Sequence, residues 1–229
     1  MKLSSLFNTT LPAGILFDLD GTLVDSAPDL TAAVDSMLST LGREPAGETQ
    51  VRNWVGNGAG ILVKRALAGQ FDYQTNPGFS EDDYRKALDL FFTAYSDSNG
   101  RQAEVYPGVV PFLQAAHAEG IALGVVTNKP QAFTGPLLQK MQLDRWFAIA
   151  VSGDTLPVKK PDPAPLLHAL GILGKQPEQC LMVGDSVNDI EAAKRAGMPS
   201  VAVSYGYNYG SDVRALGADI VVDSLAELL

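Results

Sequence analysis

Cysteine occurs once in this chain of 229 residues, as Cys180, and histidine twice, as His117 and His168. A single thiol excludes a disulfide framework, and so small a Cys/His supply leaves no ligand set for a structural zinc site. A reducing compartment is the natural setting, and Cys180, opening an apolar run, reads as buried filler. Positive charge is also short: 17 basic residues face 26 acidic ones, a formal net charge of −9. Proteins that track phosphate backbones show a basic stripe, so nucleic acid is not expected as a partner. Long hydrophobic runs are missing. Met1 to Ala13 carries one lysine and scattered polar residues, and reads as neither signal peptide nor membrane anchor. The expectation is a cytoplasmic protein with no membrane partner. No internal repeat or low-complexity tract appears.

What is there is an ordinary globular composition, 46% apolar and 19% charged. Within it, short segments set a reactive polar residue at the end of an apolar run. Ile15-Leu16-Phe17 leads to Asp18-Leu19-Asp20-Gly21-Thr22, Leu123–Val126 leads to Thr127-Asn128, and Leu181-Met182-Val183 leads to Gly184-Asp185. Such runs are strands buried on both faces, as in a parallel sheet. Beyond Tyr106 the chain alternates strand and helix: strands over Ile121–Thr127, Phe147–Ser152, Cys180–Asp185, Ser200–Val203 and Asp219–Val222, with helices over Gln131–Met141, Ala164–Leu173 and Asp189–Ala196. Ser224–Leu229 reads as a last helical turn. The pattern predicts an α/β fold, a Rossmann-like doubly wound parallel sheet. Ligands bind such sheets beyond the carboxyl ends of the strands, where these polar residues would gather.

Residues 27–103 read differently. Leu30, Ala33, Val34, Met37, Leu38 and Leu41 fall on one face of a helix, with Ser26 placed to cap it and Gly42 to end it. Tyr84, Leu88, Phe91, Phe92 and Tyr95 repeat the pattern after Ser80-Glu81-Asp82-Asp83, a capping sequence. This aromatic stripe is read as core packing rather than a ligand platform. A helical block between the first strand and the rest of the sheet is expected to be an inserted cap, residues 27–103, over a core domain of residues 1–26 and 104–229.

Asp18 and Asp20 end a buried strand, and Gly21 frees the backbone to turn there. Asp185 and Asp189 are spaced i, i+4 at a helix start, so both carboxylates can face one crevice; for Asp189 a helix cap is an equal reading. Lys160 is stiffened in its loop by Pro161 and Pro163. Oxygen ligands of this kind suit a hard cation such as Mg²⁺. Together the carboxylates, the Thr127 hydroxyl and the Lys160 ammonium can hold a phosphoryl group and a dication while an aspartate attacks phosphorus.

These segments match, in order, the motifs of the haloacid dehalogenase superfamily: Asp18–Thr22, Thr127, Lys160 and Gly184–Asp189. The chain further resembles the bacterial phosphoglycolate phosphatase subgroup, through Asp18–Pro28, Trp54–Ala59, Val126–Pro130 and Tyr205–Gly210. The resemblance implies hydrolysis of 2-phosphoglycolate, a small phosphomonoester, in two steps. Asp18 would be the nucleophile, Asp20 the acid and base, and Thr127, Asn128 and Lys160 would hold phosphoryl oxygens. Mg²⁺ would be bound by Asp18, the carbonyl of Asp20 and Asp185, with Asp189 as outer support. Backbone N–H groups at Gly56, Asn57 and Gly58 would approach the substrate carboxylate, with Arg52, Lys64 or Arg65 a candidate to pair with it. The Gly56–Gly60 stretch lacks the spacing of a dinucleotide loop.

Rival readings are a phosphorylated receiver switch, a sugar phosphatase or pyrophosphatase, and a phosphomutase. A receiver is shorter and carries no helical block after its first strand. Monomer and homodimer both remain open.

Overall fold

In the computed structural model, which describes residues 6–7 and 10–229, the apolar run before Asp18 becomes strand β1, Gly14–Phe17. The reading made of Met1–Ala13 falls, at positions 1–5, 8 and 9, outside the described residues. The chain continues through β2 (Val24–Asp25), α1 (Ala27–Thr40), α2 (Glu48–Trp54), α3 (Ala59–Ala68) and α4 (Glu81–Ser98), and returns as β3 (Glu104–Val105). Next come α5 (Val109–Ala118), β4 (Ala122–Val126), α6 (Gln131–Lys140), β5 (Ile149–Val151) and α7 (Ala164–Leu173). The last elements are β6 (Cys180–Gly184), α8 (Val187–Ala196), β7 (Ser200–Val203) and β8 (Ile220–Val222), followed by a 3₁₀ turn at Leu225–Leu228.

One parallel sheet runs in the order β5-β4-β1-β6-β7-β8. From β1 the chain winds outward through β4 and β5, then crosses back to β6 on the other side. β1 is therefore the switch point, and the crevice opens beyond its carboxyl end and those of β4 and β6. Both faces of β1 are covered, which is why its residues are apolar in succession. Ile15 and Phe17 pack with Phe112 of α5 and Leu137 of α6, while Leu16 packs with Leu166 and Leu170 of α7 and with Ala192 of α8. Each such Leu or Phe contributes roughly 1.5–3 kcal/mol by leaving water.

Strand ends differ from the sequence reading by a residue or two. β1 stops at Phe17 because the Leu19 carbonyl accepts the Leu23 and Val24 N–H groups, both at 3.0 Å, and turns the chain back. Helix α5 has no counterpart in that reading. Pro111 sits in its first turn, where an N–H has no helical partner to lose.

α1 to α4 share an apolar cluster distinct from those on the sheet, in which Leu30, Ala33, Val34, Met37 and Leu38 of α1 meet Phe91 and Tyr95 of α4; Phe133 of α6 and Tyr207 join it from the sheet side. Gly42, at φ +71°, ends α1 and lets the Arg43 N–H reach the Leu38 carbonyl at 2.9 Å. Ser80 and Asp83 form the expected capping box of α4. Ser26 departs from expectation: its side chain caps nothing, because its hydroxyl donates to Asp20 at 2.6 Å. The Tyr207 hydroxyl instead accepts the N–H groups of Ser26 and Ala27, at 2.9 and 3.0 Å. β2 and β3 pair antiparallel where the chain leaves and re-enters the sheet region. Among the described residues no helix is long and apolar enough to cross a membrane.

Candidate active site

The turn after β1 delivers Asp18 and Asp20 to the crevice, but to different partners. Asp18 accepts the Leu19 N–H at 2.7 Å and lies 3.0 Å from the Lys160 ammonium. Asp20 faces the other way, accepting from Ser26 and pairing with the Lys129 ammonium at 3.0 Å. Lys129 also donates to the Tyr95 hydroxyl of α4. Lys160 is buried and bridges Asp18 to Asp189, the second contact being 2.6 Å.

Asp189 is the helix cap and also pairs with Lys160. One oxygen takes Lys160, and the other accepts from the Ser186 N–H and hydroxyl, at 3.1 and 2.8 Å, closing the capping box of α8. Among the described residues Asp185 pairs with no cation. It accepts from the Thr22 hydroxyl at 2.9 Å and the Tyr207 N–H at 2.7 Å. Gly21 and Gly206 press against it from two sides, and a Cβ at either would collide with the carboxylate. Only glycine lets the two loops close on this side chain.

Asp18, Asp185 and Asp189 each offer an oxygen within 4.8 Å of the others, and all three residues are buried. Asp20 contributes no carboxylate oxygen to that group. Counting it in, four carboxylates face two ammonium groups, Lys129 and Lys160, an excess of two negative charges. Burial pushes the Asp18 carboxyl up to about 7, with Lys160 pulling it down and Asp189 and Asp20 pushing it further. Burial, then Asp189 and Asp18, drive Asp185 well above the ordinary carboxylate range. An oxygen-only set with an uncompensated charge of this size fits a hard dication.

Above the carboxylates lies a cavity of about 440 Å³, counting its mouth. Asp18, Asp20, Thr127, Asn128 and Lys129 form one wall; Gly56, Gly58 and Ala59 and the apolar side chains of Leu62 and Phe91 face them. Among the described residues the Thr127 hydroxyl accepts only the Lys129 N–H, at 3.2 Å, which leaves its own proton for a ligand. Asn128 is committed: its amide donates to the Gly56 and Lys160 carbonyls, both at 3.0 Å, and accepts the Lys160 N–H at 3.1 Å. It ties together β4, the Lys160 loop and the loop over the cavity.

Not every expected residue arrives. Asn57 is not part of the cavity wall, and its amide reaches Asn188 at 3.4 Å. The flanking cations turn away: Arg52 pairs with Asp25 and Glu48, Lys64 lies over Tyr73 and Tyr84, and Arg65 donates to the Trp54 and Phe71 carbonyls. Sequence reasoning passed over Lys129, which follows Thr127-Asn128 at the same strand end and is buried. For Lys129, burial pulls the pKa down, but Asp20 and Tyr95 outweigh it and leave the group above the ordinary lysine value. Phe91 and Tyr95 belong to the helical core as expected, yet they also line the cavity.

Residues 12–197 match the family model for haloacid dehalogenase-like hydrolases. The chain belongs to that family. Among related hydrolases, phosphoglycolate phosphatase 1 of Pseudomonas aeruginosa is 51% identical over 97% of this chain and 80% of its own length. Phosphoglycolate phosphatase of Nitrosococcus oceani is 48% identical over 95% of each chain. The crystal structure of a predicted phosphoglycolate phosphatase from Haemophilus somnus superposes with a TM-score of 0.88, at 37% identity, covering 96% of this chain and 97% of that one. The haloacid dehalogenase-like fold, a parallel α/β sheet with helices on both faces, is thus shared across nearly the whole length.

Proposed function

We propose that this hydrolase cleaves 2-phosphoglycolate to glycolate and phosphate through an aspartyl phosphate on Asp18, with Mg²⁺ as cofactor. One observation carries the reading. Asp18 opens into a small roofed cavity with a hydroxyl and an ammonium beside it and a second carboxylate, Asp20, held apart by its own lysine. The substrate is proposed from relatives of that name at about half identity over almost all of the chain.

Asp18 attacks phosphorus in line. The P–O bond to the alkyl oxygen breaks, and the departing oxygen takes the proton of Asp20, which enters this step in its acid form and becomes the carboxylate paired with Lys129 as the proton leaves. The Asp20 carboxylate then removes a proton from water, whose oxygen attacks phosphorus and frees Asp18 and phosphate. Acid–base help of this kind is worth about 10²–10⁴-fold. Thr127 and Lys160 hold phosphoryl oxygens, since phosphoryl transfer is chiefly positioning and charge neutralisation. Asp18 and Asp185, with the main-chain carbonyl of Asp20, would hold the dication; Asp189, whose oxygens are both engaged, supports them through Lys160 and Ser186. Bound there, Mg²⁺ neutralises charge on the phosphoryl group.

Residues 27–103 act as a cap domain over a core of residues 1–26 and 104–229. The apolar cluster of α1–α4, whose buried members outside that block are Phe133 and Tyr207, and the narrow β2–β3 neck support that division. The free, buried Cys180 fits a cytoplasmic setting. A phosphate-release panel of phosphoglycolate, hexose phosphates, pyrophosphate and nucleotides tests the reading. The highest kcat/KM should belong to phosphoglycolate and should need Mg²⁺; a higher value for a sugar phosphate would overturn the substrate, and no steady release of phosphate would overturn the enzyme.

A further inference from the structure

We propose that Lys129 determines specificity by pairing with the carboxylate of the substrate. This deepens the phosphatase reading above and rests on it. A phosphorylated hydroxy acid carries two anionic ends, and Asp18, Thr127 and Lys160 can hold only the phosphoryl one. The other end must find a positive group, and the cations flanking the cap loop are turned to contacts outside the cavity: Arg52 to Asp25 and Glu48, Lys64 to the Tyr73 and Tyr84 rings, Arg65 to main-chain carbonyls. Among the residues that line the cavity, Lys129 is the one cation.

Its position suits the task. The Lys129 ammonium lies 3.0 Å from the nearer Asp20 oxygen, and Asp20 is the group that must face the departing ester oxygen. In a 2-phospho acid one carbon separates that oxygen from the carboxylate, a span of about 3 Å at bond lengths near 1.5 Å. A substrate whose ester oxygen meets Asp20 therefore sets its carboxylate beside the partner of Asp20. An ammonium has three N–H donors. All three are engaged here, by the two Asp20 oxygens at 3.0 and 3.2 Å and by the Tyr95 hydroxyl, so a substrate carboxylate would take the place of the longer Asp20 contact while the other two hold the ammonium. The surrounding wall of Leu30, Val55, Leu62 and Phe91 is apolar, so a carboxylate placed there without Lys129 would lose its hydration and gain nothing in return. The same wall suits a short substrate and gives the hydroxyl-rich tail of a sugar phosphate few polar partners. Tyr95 comes from α4, so the lysine is aimed only when the helical block is seated over the sheet.

The test compares 2-phosphoglycolate with 2-hydroxyethyl phosphate, which keeps the ester and the chain length but ends in a neutral CH₂OH. Wild type should favour phosphoglycolate. Lys129→Met should slow both substrates, because Asp20 loses its partner. It should also lower the ratio of their kcat/KM values roughly ten- to a hundred-fold, the worth of a charge-assisted hydrogen bond, with the selective part of the loss in KM. Lys129→Arg, which keeps the charge, should restore most of the ratio even where kcat stays low. An unchanged ratio in a folded Lys129→Met protein would overturn the assignment and leave Lys129 as a support for Asp20. If Lys129→Met does not fold, Lys129→Gln takes its place: a ratio below a tenth of the wild-type value with the change in KM supports the assignment, and an unchanged ratio overturns it. Wild type that turns over neither ester would bring down the phosphatase reading, and this assignment with it.

Discussion

Replacing Asp18 by Asn should abolish turnover and, in the absence of metal, make the protein more stable. The amide cannot attack phosphorus, so loss of activity is the simpler half. The stability gain follows from charge. Burial holds the Asp18 carboxyl at about 7 in the folded chain, against an ordinary value of 3.8, and that balance already includes the attraction of Lys160. The folded state thus binds the proton more tightly than the unfolded state does. Stability is fully present below the unfolded pKa, declines as pH rises from about 4 to about 7, and is level above. At about 1.36 kcal/mol per pH unit, ionising Asp18 costs on the order of 4 kcal/mol at pH 8. The Asp18→Asn variant escapes that cost and also relieves Asp185, which Asp18 pushes upward. For a chain of this size 1 kcal/mol moves Tm by about 2–4 °C, so a rise of roughly 8–16 °C is expected at pH 8 in chelator. The assay is thermal unfolding of both proteins with EDTA at pH 8 and at pH 4.5. The gain should shrink at the lower pH, and Mg²⁺ should raise the Tm of wild type more than that of the variant. An Asp18→Asn protein less stable than wild type at pH 8, or equally stabilised at both pH values, would refute the account of the carboxylate cluster.

Asp20→Asn should slow phosphoglycolate far more than p-nitrophenyl phosphate, whose leaving group needs no proton; equal losses would argue against Asp20 as the acid. Exhaustive chelation should remove activity while circular dichroism is unchanged, and Mg²⁺ should return it; full activity without metal would take the dication out of the mechanism. Gly58→Val should lower kcat/KM for phosphoglycolate, since φ is +85° and a Cβ would stand 3.0 Å from the Asn128 carbonyl. Strain of about 1–3 kcal/mol implies a loss of roughly ten- to a hundred-fold. Asn57→Ala, which gives up only a long, part-buried 3.4 Å contact to Asn188, should change the same constant less than about threefold by the scale of a weak hydrogen bond. Cys180, whose thiol burial pushes up to about 11, should resist a thiol reagent in the native state and react once the chain is unfolded.

The sheet and much of the site could be read from the sequence because both rest on local pattern. An apolar run covered on both sides has to be a central strand, and a polar residue that ends it has to lie at the rim. That logic brought Asp18, Thr127 and Asp185 to one place, and the proline-bracketed Lys160 joined them. The spacing of Leu30, Ala33, Val34, Met37 and Leu38 likewise requires one buried helix face, whatever covers it. Sequence could not tell what a charged or hydroxylated side chain would meet across the chain. Ser26 has the place of a helix cap, but Asp20 takes its hydroxyl and Tyr207, 181 residues away, takes its N–H. Arg52, Lys64 and Arg65 flank the loop over the cavity, yet each turns to a carboxylate, a ring or a carbonyl on another element. Lys129 looks like a solvated lysine at a strand end until α4 brings Tyr95 over it and the turn after β1 brings Asp20 beneath. Backbone pattern is set by neighbours a few residues off, whereas the partner of a buried charge is set by which distant surfaces pack together, and that only the tertiary structure decides.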